Sequence, residues 1–169
     1  MNIAVISDSH DAWDNIKKAV AVAQKHSCKV MLHCGDVCAP ITLKYLTDQW
    51  SGELHLVFGN VDGDRWLMGE RAKENPNIHI YGEALAELIF DGKRIALQHY
   101  PQLAERLAQS GQYHAVFYGH NHTAKIEEIT HDEGITLLAN PGPISTMIGK
   151  KASIGVYDTG NNTMSLINL

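Results

Sequence analysis

Apolar residues in the first sixty positions fall into short unbroken runs, separated by stretches with a helical period. Residues 2–7 form such a run and predict a buried strand. Residues 14–26 place Ile16, Ala19, Val20 and Ala23 on one face of a helix. Residues 29–33 repeat the strand pattern. Pro40 then marks a helix start, with Ile41, Leu43, Tyr45 and Leu46 in the turns that follow. Residues 54–58 give a third buried strand, and a further helix is expected to start near Asp64. Strand, helix, strand, helix, strand in this order implies a parallel sheet with right-handed crossovers.

Beyond residue 80 the pattern changes. Residues 84–90 and 93–98 flank Asp91-Gly92, a strong hairpin signal. Residues 103–108 predict a short helix and residues 115–118 another buried strand. Residues 125–130 with 135–139 form a second hairpin candidate. Residues 153–157 with 163–167 form a third, turning at Gly160-Asn161-Asn162. No repeat, low-complexity tract or linker interrupts the chain. The expectation is one domain over residues 1–169, of α/β class, with a parallel half joined to an antiparallel-rich half.

Composition narrows the function classes. The chain has 169 residues, enough to bury a core. Its formal charge of −5 argues against non-specific binding to long nucleic acid, which needs a basic stripe. A phosphate-bearing substrate stays open, because bound cations would add local positive charge. No apolar run approaches the roughly 18 residues of a spanning helix, so no membrane partner is expected. The chain enters its first strand at Asn2 without a basic leader, and its three cysteines are an odd count; a reducing cytoplasm is the expected compartment. Oligomeric state is left open, a homo-oligomer included.

Ten histidines are the unusual figure, and several sit where a metal site would put them. Asp8-Ser9-His10 follows the first predicted strand, Cys34-Gly35-Asp36 the second, and Gly59-Asn60-Val61-Asp62 the third. His99 follows residues 93–98, and Gly119-His120-Asn121-His122 follows residues 115–118. In open α/β sheets the C-terminal strand edge is where ligands bind. Asp8 with His10, and His120 with His122, share a face of an extended segment. Imidazole, carboxylate and amide donors suit Mn²⁺, Ni²⁺, Fe, Co²⁺ or Zn²⁺, whereas Ca²⁺ takes oxygens alone. Asp8, His10, Asp36, Asn60, His99, His120 and His122 are too many for one catalytic ion and suit two, about 3.5–4 Å apart. Each motif alone reads as readily as a turn or a helix cap. Their joint order at strand ends decides for metal.

These residues resemble the calcineurin-like metallophosphoesterase superfamily, whose signature runs Asp-x-His, Gly-Asp, Gly-Asn-His-Asp/Glu, a lone His and Gly-His-x-His. The short chain is most similar to the small YfcE-like phosphodiesterases, over residues 2–142. The resemblance implies a four-layer α-β-β-α sandwich with mixed sheets. It implies one ion on Asp8, His10, Asp36 and His122, and another on Asp36, Asn60, His99 and His120, with Mn²⁺ first among the candidates. It implies hydrolysis of a phosphate ester, chiefly a diester, by a hydroxide bridging the two ions. Catalytic roles are expected for Asp36, Asn60 and His120, with Asn60 also placing the phosphate. The substrate is expected to be a small phosphorylated molecule, nucleotide-like among the options. A phosphomonoesterase, a nuclease or an inactive protein-binding scaffold of the same fold are the alternatives.

The chain departs from the pattern in places. Val61 stands where the superfamily usually has the His credited with protonating the leaving group. Asp62 becomes the candidate acid, or else a cap for the helix near Asp64. Tyr100 stands where this branch commonly has a small residue. Asn140-Pro141-Gly142-Pro143 ends in proline where a serine is usual. Arg65 is a candidate phosphate contact. Trp13 and Trp66 are candidate pocket walls, core packing being the alternative. Cys34 and Cys38 are expected to be small apolar residues, with Cys34 close enough to Asp36 to touch a metal. His26, His33, His55, His79, His114 and His131 are expected to be structural or on the surface.

Overall fold

The computed structural model describes residues 1–147 and 149–169. The first half follows the apolar pattern: β1 (Asn2–Ile6), α1 (Trp13–Lys25), β2 (Val30–His33), α2 (Pro40–Gln49) and β3 (Glu53–Leu56). β1, β2 and β3 pair in parallel. α3 (Arg65–Lys73) and β4 (Ile78–Ile80) come next, with β4 parallel to β3. The sequence gives no signal for β4, which is three residues long and has His79 between two isoleucines. α3 starts where expected, but its cap is Asp64, whose carboxylate accepts the Leu67 N–H at 3.2 Å. Asp62 is not the cap.

The second half comprises β5 (Ala86–Phe90), β6 (Lys93–Leu97), α4 (Pro101–Gln109), β7 (Ala115–Phe117), β8 (Lys125–His131), β9 (Gly134–Asn140), β10 (Ser153–Asp158) and β11 (Thr163–Asn168). The three hairpins form as predicted. The division into a parallel and an antiparallel half does not hold. β10 crosses to the first sheet and pairs antiparallel with β1, Asn2 opposite Asp158, giving the order β11-β10-β1-β2-β3-β4. The second sheet runs β5-β6-β7-β9-β8, with β6, β7 and β9 mutually parallel. Both sheets are therefore mixed.

Side-chain alternation explains the layering. Ala4 and Ile6 of β1 face α1 and α2, while Ile3 and Val5 face the second sheet. Both faces of β1 are covered, so its sequence reads as a continuous apolar run. A middle core joins Ile3, Val5 and Leu32 to Ile95, Leu97 and Phe117, and Tyr157 of β10 meets Phe117 edge-on at 5.1 Å. Each fully buried Ile, Leu or Phe contributes about 1.5–3 kcal/mol by leaving water. A third core packs Ala104 and Ala108 of α4 on Ala96, Val116 and Leu138. The result is α-β-β-α. It brings the C-terminal ends of β1, β2 and β3 beside those of β6 and β7, along one rim.

Candidate metal centre

All seven sequence-predicted ligands stand on that rim, five of them with left-handed backbone. Asp8, His10, Asp36, His120 and His122 have φ of 51°, 39°, 61°, 71° and 51°. Left-handed backbone costs a residue with a Cβ roughly 1–2 kcal/mol, and such strain gathers at functional sites. Hydrogen bonds between loops hold it in place. The Asp8 and His10 N–H groups donate to the carbonyls of Gly35 and Asp36 at 3.0 and 3.1 Å. The His120 N–H donates to both Asp8 carboxylate oxygens, at 3.1 and 3.2 Å.

The ligand atoms converge in two groups that share carboxylates. In the first, His122 Nε2 lies 3.2 Å from Asp8 Oδ1 and 3.2 Å from His10 Nε2. His10 Nε2 lies 3.7 Å from Asp36 Oδ2. In the second, His99 Nε2 lies 3.4 Å from Asp36 Oδ2 and 3.1 Å from Asn60 Oδ1, which is 2.9 Å from His120 Nδ1. Asp8, Asp36 and His99 also bring ligand atoms within 4.8 Å of one another, so Asp8 stands close to both groups. Asp8, Asp36 and His99 are buried.

The donor set fits cations. His99 Nδ1 sits 2.7 Å from the Cys34 carbonyl, which takes the proton of the neutral ring. His99 Nε2 then turns a lone pair toward the oxygens of Asn60 and Asp36. Acceptors facing acceptors need positive charge between them. The titratable groups register the same crowding. With no ion between them a second proton on His99 supplies that charge: burial pushes the Asp36 carboxyl up, but hydrogen bonds from the protonated His99 and the Val61 N–H, with the charges of His99 and His10, bring it below its ordinary value. Burial pushes His99 down, and Asp36 more than reverses this. The hydrogen bond to Asp8 raises His122.

Two expected roles change. The Asp62 carboxylate accepts three backbone N–H groups, from Asp36 at 2.9 Å, Gly59 at 2.7 Å and Cys38 at 2.8 Å. Both its oxygens are committed as acceptors, so it ties two ligand loops together and has no proton placed for a leaving group. Arg65 is likewise occupied: its guanidinium donates to the carbonyls of Asp62 at 3.0 Å and Gly59 at 2.7 Å, and pairs with Glu83. It braces the Asn60 loop and is not free for a phosphate.

Other residues sort as follows. The Tyr100 ring stands edge-on to His99 and His120, with centroids 5.0 and 5.1 Å away, and so borders the second group. Trp13 stacks on Tyr45 at 5.0 Å and donates to Thr42 at 3.0 Å, and Trp66 is 75% exposed, so neither is core packing. His33 is buried beneath the site between Ser9 at 3.1 Å and the Gly35 N–H at 3.2 Å; burial pushes it down to about 4, which keeps it neutral. Asn140 donates to the Gly119 carbonyl at 3.0 Å and to Asn121 at 2.9 Å, fixing the Gly-His-Asn-His loop. Cys38, not Cys34, has its sulfur against a candidate ligand, 3.3 Å from His10 Nδ1. All three cysteines are free thiols.

The family model of the calcineurin-like phosphoesterase superfamily domain matches residues 1–162. Phosphodiesterase MJ0936 of Methanocaldococcus jannaschii is 29% identical over 160 residues, covering 94% of this chain and 93% of its own. The solved structure of a novel archaeal phosphodiesterase superposes with a TM-score of 0.89 at 28% identity, with full coverage of both chains. The phosphoesterase YfcE from E. coli shares the fold, with a TM-score of 0.65 at 16% identity over 99% of this chain and 98% of its own.

Proposed function

This chain belongs to the calcineurin-like phosphoesterase superfamily, and from that premise we propose that it is a metal-dependent phosphodiesterase working on small substrates. The observation that carries the reading is the meeting of seven nitrogen and oxygen donors from both sheets at one rim, with lone pairs turned inward. A scaffold that had lost catalysis would have no use for that set. The similar phosphodiesterases of the archaeal relatives support the diester over the monoester.

Asp8, His10, Asp36 and His122 would hold one divalent ion, and Asp36, Asn60, His99 and His120 the other, with Mn²⁺ the first candidate and Ni²⁺, Fe, Co²⁺ and Zn²⁺ after it. Bound there, the pair supplies Lewis acidity and an acidified water. The chain's own part is to place the ester. Asn60 turns its amide oxygen to the histidine rings, which leaves the amide N–H₂ to donate to a phosphoryl oxygen. Tyr100 limits the space beside His99 and His120. No side chain at position 61 or 62 delivers a proton, since Val61 has none and Asp62 is bound to three N–H groups. Esters with acidic leaving groups, such as aryl diesters, need that proton least.

We read the chain as one domain over residues 1–169, acting in the cytoplasm. Among the described residues no helix is long and apolar enough to cross a membrane. The test is cleavage of bis-p-nitrophenyl phosphate against p-nitrophenyl phosphate across Mn²⁺, Ni²⁺, Co²⁺, Zn²⁺ and Mg²⁺. The diester should turn over faster, only with metal, and Asp36→Ala should abolish it. Metal-independent turnover, or full activity in Asp36→Ala, refutes the proposal.

A further inference from the structure

His10 reaches the proposed centre through Nε2, which lies 3.2 Å from His122 Nε2, 3.7 Å from Asp36 Oδ2 and 3.9 Å from Asp8 Oδ1. A neutral imidazole that offers its Nε2 lone pair to a cation carries its proton on Nδ1. In metal-binding histidines that second nitrogen is usually satisfied by a carboxylate or a backbone carbonyl, which fixes tautomer and ring orientation. His99 follows the rule through the Cys34 carbonyl at 2.7 Å. In His10 the place is taken by a thiol: Cys38 Sγ lies 3.3 Å from Nδ1.

The loop is arranged to put the sulfur there. Cys38 has φ of 77°, a conformation disfavoured for any residue with a Cβ. It is held by its N–H on Asp62 Oδ1 at 2.8 Å and by its carbonyl, which accepts the Gly63 N–H at 2.8 Å. The other Asp62 oxygen accepts the N–H of Asp36 at 2.9 Å. One carboxylate therefore sets both the shared ligand Asp36 and the sulfur that meets His10. Glycine would adopt this backbone without strain, but would leave His10 Nδ1 with no partner.

We propose that Cys38 is a positioning residue for the metal centre. Its sulfur accepts the Nδ1–H of His10 and holds the ring with Nε2 turned to the ion that Asp8, Asp36 and His122 also bind. It touches neither ion nor substrate and acts only through His10. The inference rests on the two-ion reading of the site. It concerns one ion of the pair, because His10 is not among the residues that would hold the other.

The test is calorimetric titration of the metal-free full chain with Mn²⁺, for the wild type, Cys38→Ala and Cys38→Ser, beside the melting temperature of each without metal. The wild type should bind two ions. Cys38→Ala should bind one with native affinity and the other about 10-fold or more weakly, the usual loss when the outer partner of a ligand is removed. Cys38→Ser keeps an acceptor at the position and should recover most of the affinity. The metal-free melting temperatures should agree, which separates positioning from folding. Two ions of native affinity in Cys38→Ala overturn the inference and leave the two-ion site standing, as does equal weakening in Ala and Ser. A wild type that binds no ion overturns the site and the inference together.

Discussion

The Nε2 atoms of His10 and His122 face each other at 3.2 Å. At most one proton fits between them, and carboxylate oxygens of Asp8 and Asp36 crowd the same space. The site is short of positive charge, so a divalent ion should stabilise the fold. With free ion at about 100 times its Kd the gain is about 2.7 kcal/mol, or roughly 5–10 °C in a chain of this size. Thermal unfolding with chelator and then with added Mn²⁺ measures it. Asp36→Ala, which removes the carboxylate common to both groups, should lose most of the gain. A wild-type melting point indifferent to chelation contradicts the site.

Asp62 tests whether a carboxylate near the reaction is an acid or a brace. Its oxygens accept the N–H groups of Asp36, Gly59 and Cys38. In Asp62→Asn the amide N–H₂ meets at least one of these donors, and a buried N–H loses its acceptor. The expected loss of stability is about 3 kcal/mol. Activity should fall by the same factor for diesters of acidic and of weakly acidic phenols. An acid role predicts otherwise, with damage that grows as the leaving group becomes more basic. A rate loss that climbs steeply along such a series would restore Asp62 as the proton donor.

Two glycines give opposite expectations for the same change. A Cβ on Gly59 would overlap Asp36 Oδ1 and come within 2.7 Å of His99 Cε1, so Gly59→Ala displaces the shared ligand. Metal binding should be lost by calorimetry while the fold survives. Gly69, inside α3, has nothing within 4 Å of its Cβ position. Gly69→Ala should raise stability by about 0.5–1 kcal/mol through the lower entropy of the unfolded chain, with metal affinity unchanged. Native Mn²⁺ affinity in Gly59→Ala would show that Asp36 can leave its place without consequence.

The candidate ligands could be read from the sequence because their signal is local. Asp8, Asp36, Asn60, His99 and His120 each follow a short apolar run that reads as a strand, and strand ends are where an α/β sheet binds. The Asp36 and Cys38 partners of Asp62 and the Glu83 partner of Arg65 could not be read, since they lie on loops that meet only after folding. Asp62 follows Gly59 closely enough to pass for a helix cap, and nothing near it announces the Asp36 and Cys38 amides 26 and 24 residues away. The same holds for β10. Its apolar run marks a strand, but the choice of β1 as partner depends on which edge of the first sheet remains open. The left-handed backbone at His10, His120 and His122 has no residue signature either. At His10 and His120 it is held by loop-to-loop hydrogen bonds.

Tyr157 is one of the groups, with Tyr113, whose ionisation should weaken the fold at alkaline pH. Its ring is fully buried against Phe117, and its hydroxyl donates to Asn162 Oδ1 at 2.7 Å. Burial first, and then the negative charge of Asp158, pushes the phenol up to about 12. In the unfolded chain it ionises near its ordinary value of about 10. A group raised on folding contributes fully below the unfolded value, and the contribution is lost as pH rises from there through the folded value. The wild type should therefore weaken between about pH 10 and 12. Tyr157→Phe should start lower by about 1 kcal/mol, for the missing hydrogen bond, and then decline less steeply, because it has one ionisation fewer linked to unfolding. Melting temperatures of both proteins from neutral to strongly alkaline pH decide the matter. If the gap between them stays constant across the range, Tyr157 has no part in the alkaline weakening.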